Sequence, residues 1–292
     1  MQYILQINSF CAKIDLVIDM QRFYYNENNI LVHHSIDEIP NPNDFYMHAH
    51  DYLELYYFIS GKGQYIVEGT RYDLTSGDIL VMMPSEAHML QIEPIMPYER
   101  ITVQFTPDIF SSIASSDLLR AFLRRPLGQL NQYHQNDFIE KCFKNMTNTR
   151  ENADCYTRTL SYLLPIVYEL GKAYDERSDT FEYQESSSGA NNIIGFVNTN
   201  LFNDISVDSI AKHFYLSRSQ INRIFKQATG KSVWEYVLIK RLLQARRRIK
   251  DGEHIGTVAM SCGFKDYSAF FRAYKKQFKT SPSSDVKKSS SE

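Results

Sequence analysis

Cysteine is scarce in this sequence. Four residues in 292, Cys11, Cys142, Cys155 and Cys262, stand far apart and none has CxxC spacing. That scatter excludes a zinc-ribbon framework and a disulfide scaffold, and it fits reduced thiols in a cytoplasm. Long apolar runs are missing too. No stretch approaches the ~18 uninterrupted apolar residues of a membrane helix. The opening MQYILQINSFCAKIDLVID places Lys13, Asp15 and Asp19 where a signal peptide keeps an apolar core. A soluble, unexported, cytoplasmic protein with no membrane partner is expected. Net charge is also small, at -2, but this hides an asymmetry. Through Gly189 there are 14 Lys and Arg against 26 Asp and Glu, and from Ala190 onward 18 against 8, so the two parts carry -12 and +10. The basic part is suited to a polyanion, either nucleic acid or an anionic membrane surface.

The chain is long enough for two separate cores. From about Ile30 to Thr106, short alternating apolar runs such as LELYYFIS, GQYIVEG, DILVMMP, HMLQIE and ERITVQF are broken by Gly, Pro and Asp. This pattern predicts closely spaced strands in a barrel or sandwich. Beyond Pro107 the period becomes helical, with Phe138, Cys142 and Met146, then Leu160, Leu163, Leu164 and Val167, on single faces. Those helices either cover the strands or form a dimer seam. The polar, Ser-rich stretch around DTFEYQESSSGANN predicts a linker, and the apolar-poor ending DVKKSSSE predicts a disordered tail. The expected division is a domain over 1–177, a linker over 178–190, a second domain over 191–284 and a tail over 285–292.

The basic part contains an internal repeat. In ISVDSIAKHFYLSRSQINRIFKQATGKS, Ser206 is placed to cap a short helix that buries Ile210, Ala211 and Phe214, and a turn follows at Tyr215 and Leu216. Ser217 is placed to cap a second helix ended by Gly230. It turns Ile221, Ile224 and Phe225 inward, and Arg218, Ser219, Asn222, Arg223 and Lys226 outward. The plan recurs in HIGTVAMSCGFKDYSAFFRAYKKQFKTSP, where Ser219, Arg223 and Lys226 find counterparts at Ser268, Arg272 and Lys275, with Phe270 and Tyr274 as buried supports. Short helix pairs displaying Arg, Asn and Ser suit the major groove, where Arg pairs with guanine and Asn with adenine. Between the repeats, VWEYVLIKRLLQARRRIKDG predicts a spacer helix with an apolar side of Val237, Leu238, Leu242, Ala245 and Ile249. Lys240, Arg241, Arg246, Arg247, Arg248 and Lys250 form its expected basic face.

These elements, in register over residues 191–282, resemble the AraC/XylS family of bacterial regulators. The resemblance implies an α+β multidomain protein, with a cupin-like β-barrel followed by helices and a C-terminal all-α domain carrying two helix-turn-helix units. It also implies two recognition helices in adjacent major-groove segments of double-stranded promoter DNA, with Ser219, Asn222, Arg223, Tyr267, Ser268 and Arg272 as base readers. Arg218, Lys226 and Lys265 complete the implied DNA-binding face. Against this stands the ordinary fate of surface Lys and Arg, which is to be merely solvated. The sequence departs from the family's pattern at Lys279, where Gly is usual, at Asp285-Val286, where an aromatic-basic ending is usual, and at Gly256, which weakens a short helix.

The strand-rich part holds HAHDYLELYYFISGKG followed by GDILVMMPSEAH. His48, His50 and Glu54 form an HxHxxxE pattern, with Gly61 downstream and His88 four residues past Pro84, and this resembles the cupin motifs. In metal cupins such a set holds a divalent ion, and an N3O donor set suits Fe, Mn, Ni or Zn. A cupin enzyme fused to a DNA-binding module is therefore one reading. The other is that His48, His50, Glu54, Tyr56 and His88 hold a small effector, such as a sugar, with Tyr65 and Tyr72 offering faces for stacking. Packed structural residues and a ligand-free architectural DNA binder stand beside these. The family resemblance favours a ligand-responsive homodimeric activator that contacts RNA polymerase, often at carbohydrate-use or stress genes.

Overall fold

The computed structural model describes residues 19–112, 115–148, 154–178 and 189–286. They gather into two compact units, one within 18–187 and one within Ser188–Glu292.

In the first unit, β1 (Asp19–Glu27), β2 (Ile30–Asp37), β8 (Tyr98–Phe105), β3 (Leu53–Ser60), β6 (Asp78–Met82) and β9 (Gln132–His134) lie in that order in a six-stranded sheet. A second sheet has the order β5 (Thr70–Asp73), β4 (Gly63–Val67), β7 (His88–Ile92). Every strand pairing is antiparallel. β3 explains why its run LELYYFIS is apolar with little alternation: both of its faces are covered. Tyr56 and Phe58 pack toward the small sheet with Tyr65, Val67, Leu80, Leu90 and Tyr98. Leu53, Leu55 and Tyr57 point the other way, into a core completed by helices α1 (Arg120–Leu123), α2 (Asp137–Met146) and α3 (Cys155–Ser178). The helices therefore cover the outer face of the large sheet.

Two strands escape the sequence reading. β1 precedes the expected start, and β9 is a three-residue edge too short to show a period. Phe138 is a correction. It is half exposed, and α2 buries Ile139, Cys142, Phe143 and Met146 instead. Positions 138, 142 and 146 advance by four and drift off a 3.6-residue period, whereas 139, 142, 143 and 146 follow it. Asn136 starts this helix by accepting a hydrogen bond from the Ile139 amide.

The second unit is all helical: α4 (Gly189–Thr199), α5 (Val207–His213), α6 (Arg218–Thr229), α7 (Val233–Lys250), α8 (Ile255–Ser261) and α9 (Tyr267–Phe278), closed by a 3-10 turn at Pro282–Asp285. Ser206, Ser217 and Ser232 each head a helix with a reciprocal capping box. Gly230 ends α6 at φ 71°, in the left-handed region that glycine enters without steric cost. The expected linker, 178–190, lies mostly outside the described residues; Ser178 closes α3, while Gly189 and Ala190 already belong to α4. At Asp285, where the disordered tail was expected to begin, the chain still forms a 3-10 turn. Asp285 is held by Tyr274 Oη at 2.6 Å and Arg246 Nε at 2.9 Å, while 287–292 lie outside the described residues.

Candidate functional site

The C-terminal unit places all nine residues expected at a DNA interface on its surface. On α6, Arg218, Ser219, Asn222, Arg223 and Lys226 are exposed, while Ile221 and Phe225 are fully buried beneath them. At the second unit, Lys265, Tyr267, Ser268 and Arg272 are exposed over buried Phe270 and Tyr274. The repeat is thus structural. Val258 and Ala259 on α8 are buried, as Ile210 and Ala211 are on α5. Tyr215, at φ 55° and 95% exposed, forms the tip of the first turn.

The basic face expected on α7 is corrected. Lys240 and Arg241 are buried, and Arg246 and Arg248 are engaged with Asp285 and Glu253, which leaves Arg247 as the exposed cation of that set. Arg241 donates from Nε to the Leu201 carbonyl at 2.7 Å, from Nη2 to Asn203 at 2.8 Å and from Nη1 to Gly263 at 2.7 Å. A Cβ at Gly263 would sit 2.7 Å from the guanidinium carbon, so that glycine makes room for the clamp. A guanidinium fits there because it can point donors at several carbonyls at once.

In the N-terminal unit the structure brings His48, His50, Glu54 and His88 together. His48 and His88 form an isolated bridge between the segment before β3 and the start of β7, with rings 4.3 Å apart; the His50 and His88 rings are 5.1 Å apart. His48 Nδ1 lies 3.0 Å from the Tyr46 carbonyl and His88 Nδ1 lies 2.8 Å from the Glu86 carbonyl. Because a carbonyl can only accept, both rings carry their proton on Nδ1 and turn an Nε2 lone pair inward. His50 Nε2 donates to Glu54 Oε2 at 2.7 Å, and Gln104 Nε2 reaches the same oxygen at 2.8 Å. Tyr56 does not touch the histidines among its recorded bonds; its hydroxyl meets that of Tyr98 at 2.7 Å. Tyr65 stacks on His88 with centroids 6.0 Å apart. Tyr72 hydrogen-bonds the Gly128 carbonyl at 2.9 Å and Asn131 at 3.1 Å.

Burial lowers the pKa of His48, and that of His88 much further, so these imidazoles are neutral. Burial pushes the Glu54 pKa upward, but the hydrogen bond from His50 outweighs it and lowers it. The nitrogen donors of His48, His50 and His88 lie within 4.8 Å of one another, a spacing that could hold a metal ion. A separate cleft of about 340 Å³ is lined by Asp73, Asp78, Gln132, His134 and Arg177 among others. Gln132 and His134 are already bonded to Asp78, and Arg177 to the Gln132 carbonyl.

Residues 38–164 match the model of the AraC-like ligand binding domain, and residues 210–288 match that of a helix-turn-helix domain. The Msm operon regulatory protein of Streptococcus mutans is 26% identical over 241 residues, spanning 80% of this chain and 83% of its own length. The HTH-type transcriptional activator RhaS of Pectobacterium carotovorum is 25% identical over 248 residues, spanning 81% of this chain and 86% of its own. This chain is an AraC/XylS-family transcription regulator. Among solved structures, fatty-acid-bound ToxT of Vibrio cholerae is 14% identical with a TM-score of 0.40, covering 92% of this chain and 100% of ToxT. No helix among the described residues is long and apolar enough to cross a membrane.

The two helix-turn-helix units of this AraC/XylS-family regulator differ in how their helices are held. α5 and α6 both begin with capping boxes, whereas α8 begins at His254 without a side-chain cap and carries Gly256 in its first turn. α9 is capped by Asp266 but ends on Lys279 at φ 58°, a conformation that costs a side-chain-bearing residue roughly 1–2 kcal/mol. Lys279→Gly should raise stability by about 1 kcal/mol. An unchanged or lower denaturation midpoint would count against strain at this position.

Two residues at these sites were missed in the sequence. Gln104 lies on β8, where register sets it opposite Glu54, a contact across 50 residues that no local spacing reveals. Arg241 looked like a surface cation because it follows Lys240 on a helix that also carries Arg246, Arg247, Arg248 and Lys250.

Proposed function

We propose that this regulator is a sequence-specific activator whose output is set by a small molecule held in the N-terminal unit. The observation that carries this reading is the repeated exposed set on α6 and α9, Ser219 and Arg223 on one and Ser268 and Arg272 on the other, each over a buried aromatic support. In this reading Ser219, Asn222, Arg223, Tyr267, Ser268 and Arg272 read bases, and Arg218, Lys226 and Lys265 contact phosphate. The effector is a hydroxylated molecule such as a sugar, recognised by the buried His, Glu and Tyr groups around Glu54. It favours one of two arrangements of a homodimer, and that shift changes contact with RNA polymerase at the promoter. The protein acts in the cytoplasm, and the His and Glu cluster serves sensing rather than turnover.

Footprinting across the genome, with and without candidate effectors, tests the whole scheme. Discrete sites whose occupancy or transcription responds to one metabolite are expected. Uniform occupancy at all sequences would refute specificity. For the reader residues, Arg223→Ala should cost about 1–3 kcal/mol on the preferred site and relax its sequence preference, whereas Arg247→Ala should weaken binding on every sequence and flatten the salt slope. Mobility-shift titrations at several salt concentrations separate the two; parental affinity and preference in the Arg223 variant would remove that residue from the readers.

A further inference from the structure

We propose that Tyr215, in the turn between α5 and α6, hydrogen-bonds the DNA backbone beside the first recognition helix, a contact outside the nine positions assigned above. The inference rests on the DNA-binding reading of the preceding section and adds to it a residue that carries no charge.

The two helix-turn-helix units permit an internal comparison. In the first, the Tyr215 amide donates to the Lys212 carbonyl at 3.4 Å and the Leu216 amide to that of Ala211 at 3.0 Å. In the second, the Gly263 amide donates to the Met260 carbonyl at 3.0 Å and the Phe264 amide to that of Ala259 at 3.2 Å. Tyr215 and Gly263 therefore occupy the same position of the two turns, and both have positive φ, 55° and 81°. Glycine enters that region without steric cost, whereas a residue with a side chain does not. The turn thus forms with glycine, and its geometry gives no reason for tyrosine. Nor does packing. Tyr215 is 95% exposed, the most exposed large apolar side chain among the described residues. A strained backbone under a ring that covers nothing costs stability in the isolated protein, which is the mark of a residue kept for a partner.

Position and charge select DNA as that partner. Tyr215 stands two residues before Ser217, the N-cap of α6, whose first turn carries Arg218 and Ser219. With the start of α6 in the major groove, this turn faces the sugar-phosphate wall of that groove. Exposed Lys212 and Arg218 flank Tyr215 three residues away on either side, so its surroundings attract an anion. A tyrosine hydroxyl is one of the donors that reach phosphate oxygens, and the side chain has only two torsions to immobilise. The second unit, with Gly263, offers no such donor at this position. The extra contact therefore fixes the register of the first unit.

The test compares the full-length parent with Tyr215→Gly and Tyr215→Phe on two duplexes, one of random sequence and one carrying a site recovered by footprinting. Tyr215→Gly should weaken binding to both about tenfold, the loss of one hydrogen bond to a charged acceptor. The melting temperature of the C-terminal unit, followed by the emission of Trp234 on α7, should meanwhile rise by about 4–8 °C as the strain is relieved. Tyr215→Phe should lose a similar factor and melt like the parent, because it lacks only the hydroxyl. In both variants the salt dependence of affinity should keep the parental slope, since no cation has been removed. A merely structural role would not raise the melting temperature and lower affinity together. Parental affinity in either variant would overturn the hydroxyl contact, as would a lower melting temperature in Tyr215→Gly, which would show that the ring packs inside the fold. Transcription lost with DNA affinity intact would also overturn it and give Tyr215 to a protein partner. A parent that binds neither duplex would remove the DNA-binding reading together with this inference, whereas a parent that binds and is matched by its variants removes this inference alone.

Discussion

Arg241→Ala is expected to destabilise the C-terminal unit by about 3 kcal/mol or more, because three carbonyls would lose charge-assisted hydrogen bonds in a site 6% exposed. Individually such bonds contribute ~1.5–3 kcal/mol, and partial rehydration of the cavity keeps the sum below three times that. For a domain of this size the melting temperature should fall by roughly 10–20 °C. Trp234, the chain's one tryptophan, lies on α7, so its emission follows this unit specifically. Arg241→Lys should recover little, since one ammonium cannot serve carbonyls fixed in three directions. The functional consequence follows from where those carbonyls sit. Leu201 and Asn203 lie between α4 and α5, ahead of the first recognition helix, and Gly263 lies in the turn before the second. Arg241 therefore fixes the entry to both units from the helix between them. Specific DNA binding should fall more steeply than non-specific binding, because spacing is lost while phosphate-seeking cations remain. Arg247→Ala, changed at an exposed position on the same helix, should leave the Trp234 transition where it is. An Arg241→Ala protein that melts within about 2 °C of its parent and binds its operator equally well would sink the clamp.

That clamp marks the boundary of what could be read from the sequence. Periodicity located β3, β4, β6, β7 and β8 and the helices α3 and α5 to α9, because apolar spacing records which face is buried, while β5, α1 and α4 were not read. The caps at Ser206 and Ser217 were legible for the same local reason, since each serine stands three residues before its partner, while the equivalent cap at Ser232 was not read. His48, His50, Glu54 and His88 could be grouped by motif, yet what surrounds them could not. Gln104 joins them through the β3–β8 register, and Tyr65 reaches His88 from the small sheet. Lys240 and Arg241 were misread because hydropathy treats a cation as surface, while long side chains can bury their stems and find carbonyl partners. Phe138 shows the reverse error, an aromatic taken as core that lies half exposed on the first turn of α2.

A second large effect is expected at Glu86 and Arg125, both fully buried. Arg125 pairs with Glu86 through both guanidinium nitrogens, Nη1 to Oε1 at 2.7 Å and Nη2 to Oε2. Glu86 also accepts from the Gly128 amide at 2.8 Å, the Met83 amide at 3.0 Å and Asn131 at 3.2 Å. Burial opposes ionisation of this carboxyl, but Arg125 and the amides outweigh it and lower its pKa. Either single change, Glu86→Ala or Arg125→Ala, leaves a buried charge alone and should cost about 3–5 kcal/mol. The double change Glu86→Leu with Arg125→Met removes both charges and should be milder than either. The pair has a functional reach, since the Glu86 carbonyl holds His88 through Nδ1 and the Met83 amide closes the loop between β6 and β7. Glu86→Ala should therefore weaken ligand binding at the histidine cluster even at temperatures where the unit stays folded. Denaturation followed by circular dichroism, paired with melting-temperature shifts of the same samples across a panel of sugars, separates the two effects. If the double variant proves as unstable as the sum of the singles, the ion pair is not the source of the cost, and the side-chain bonds to Val81, Gly128 and Asn131 must carry it instead.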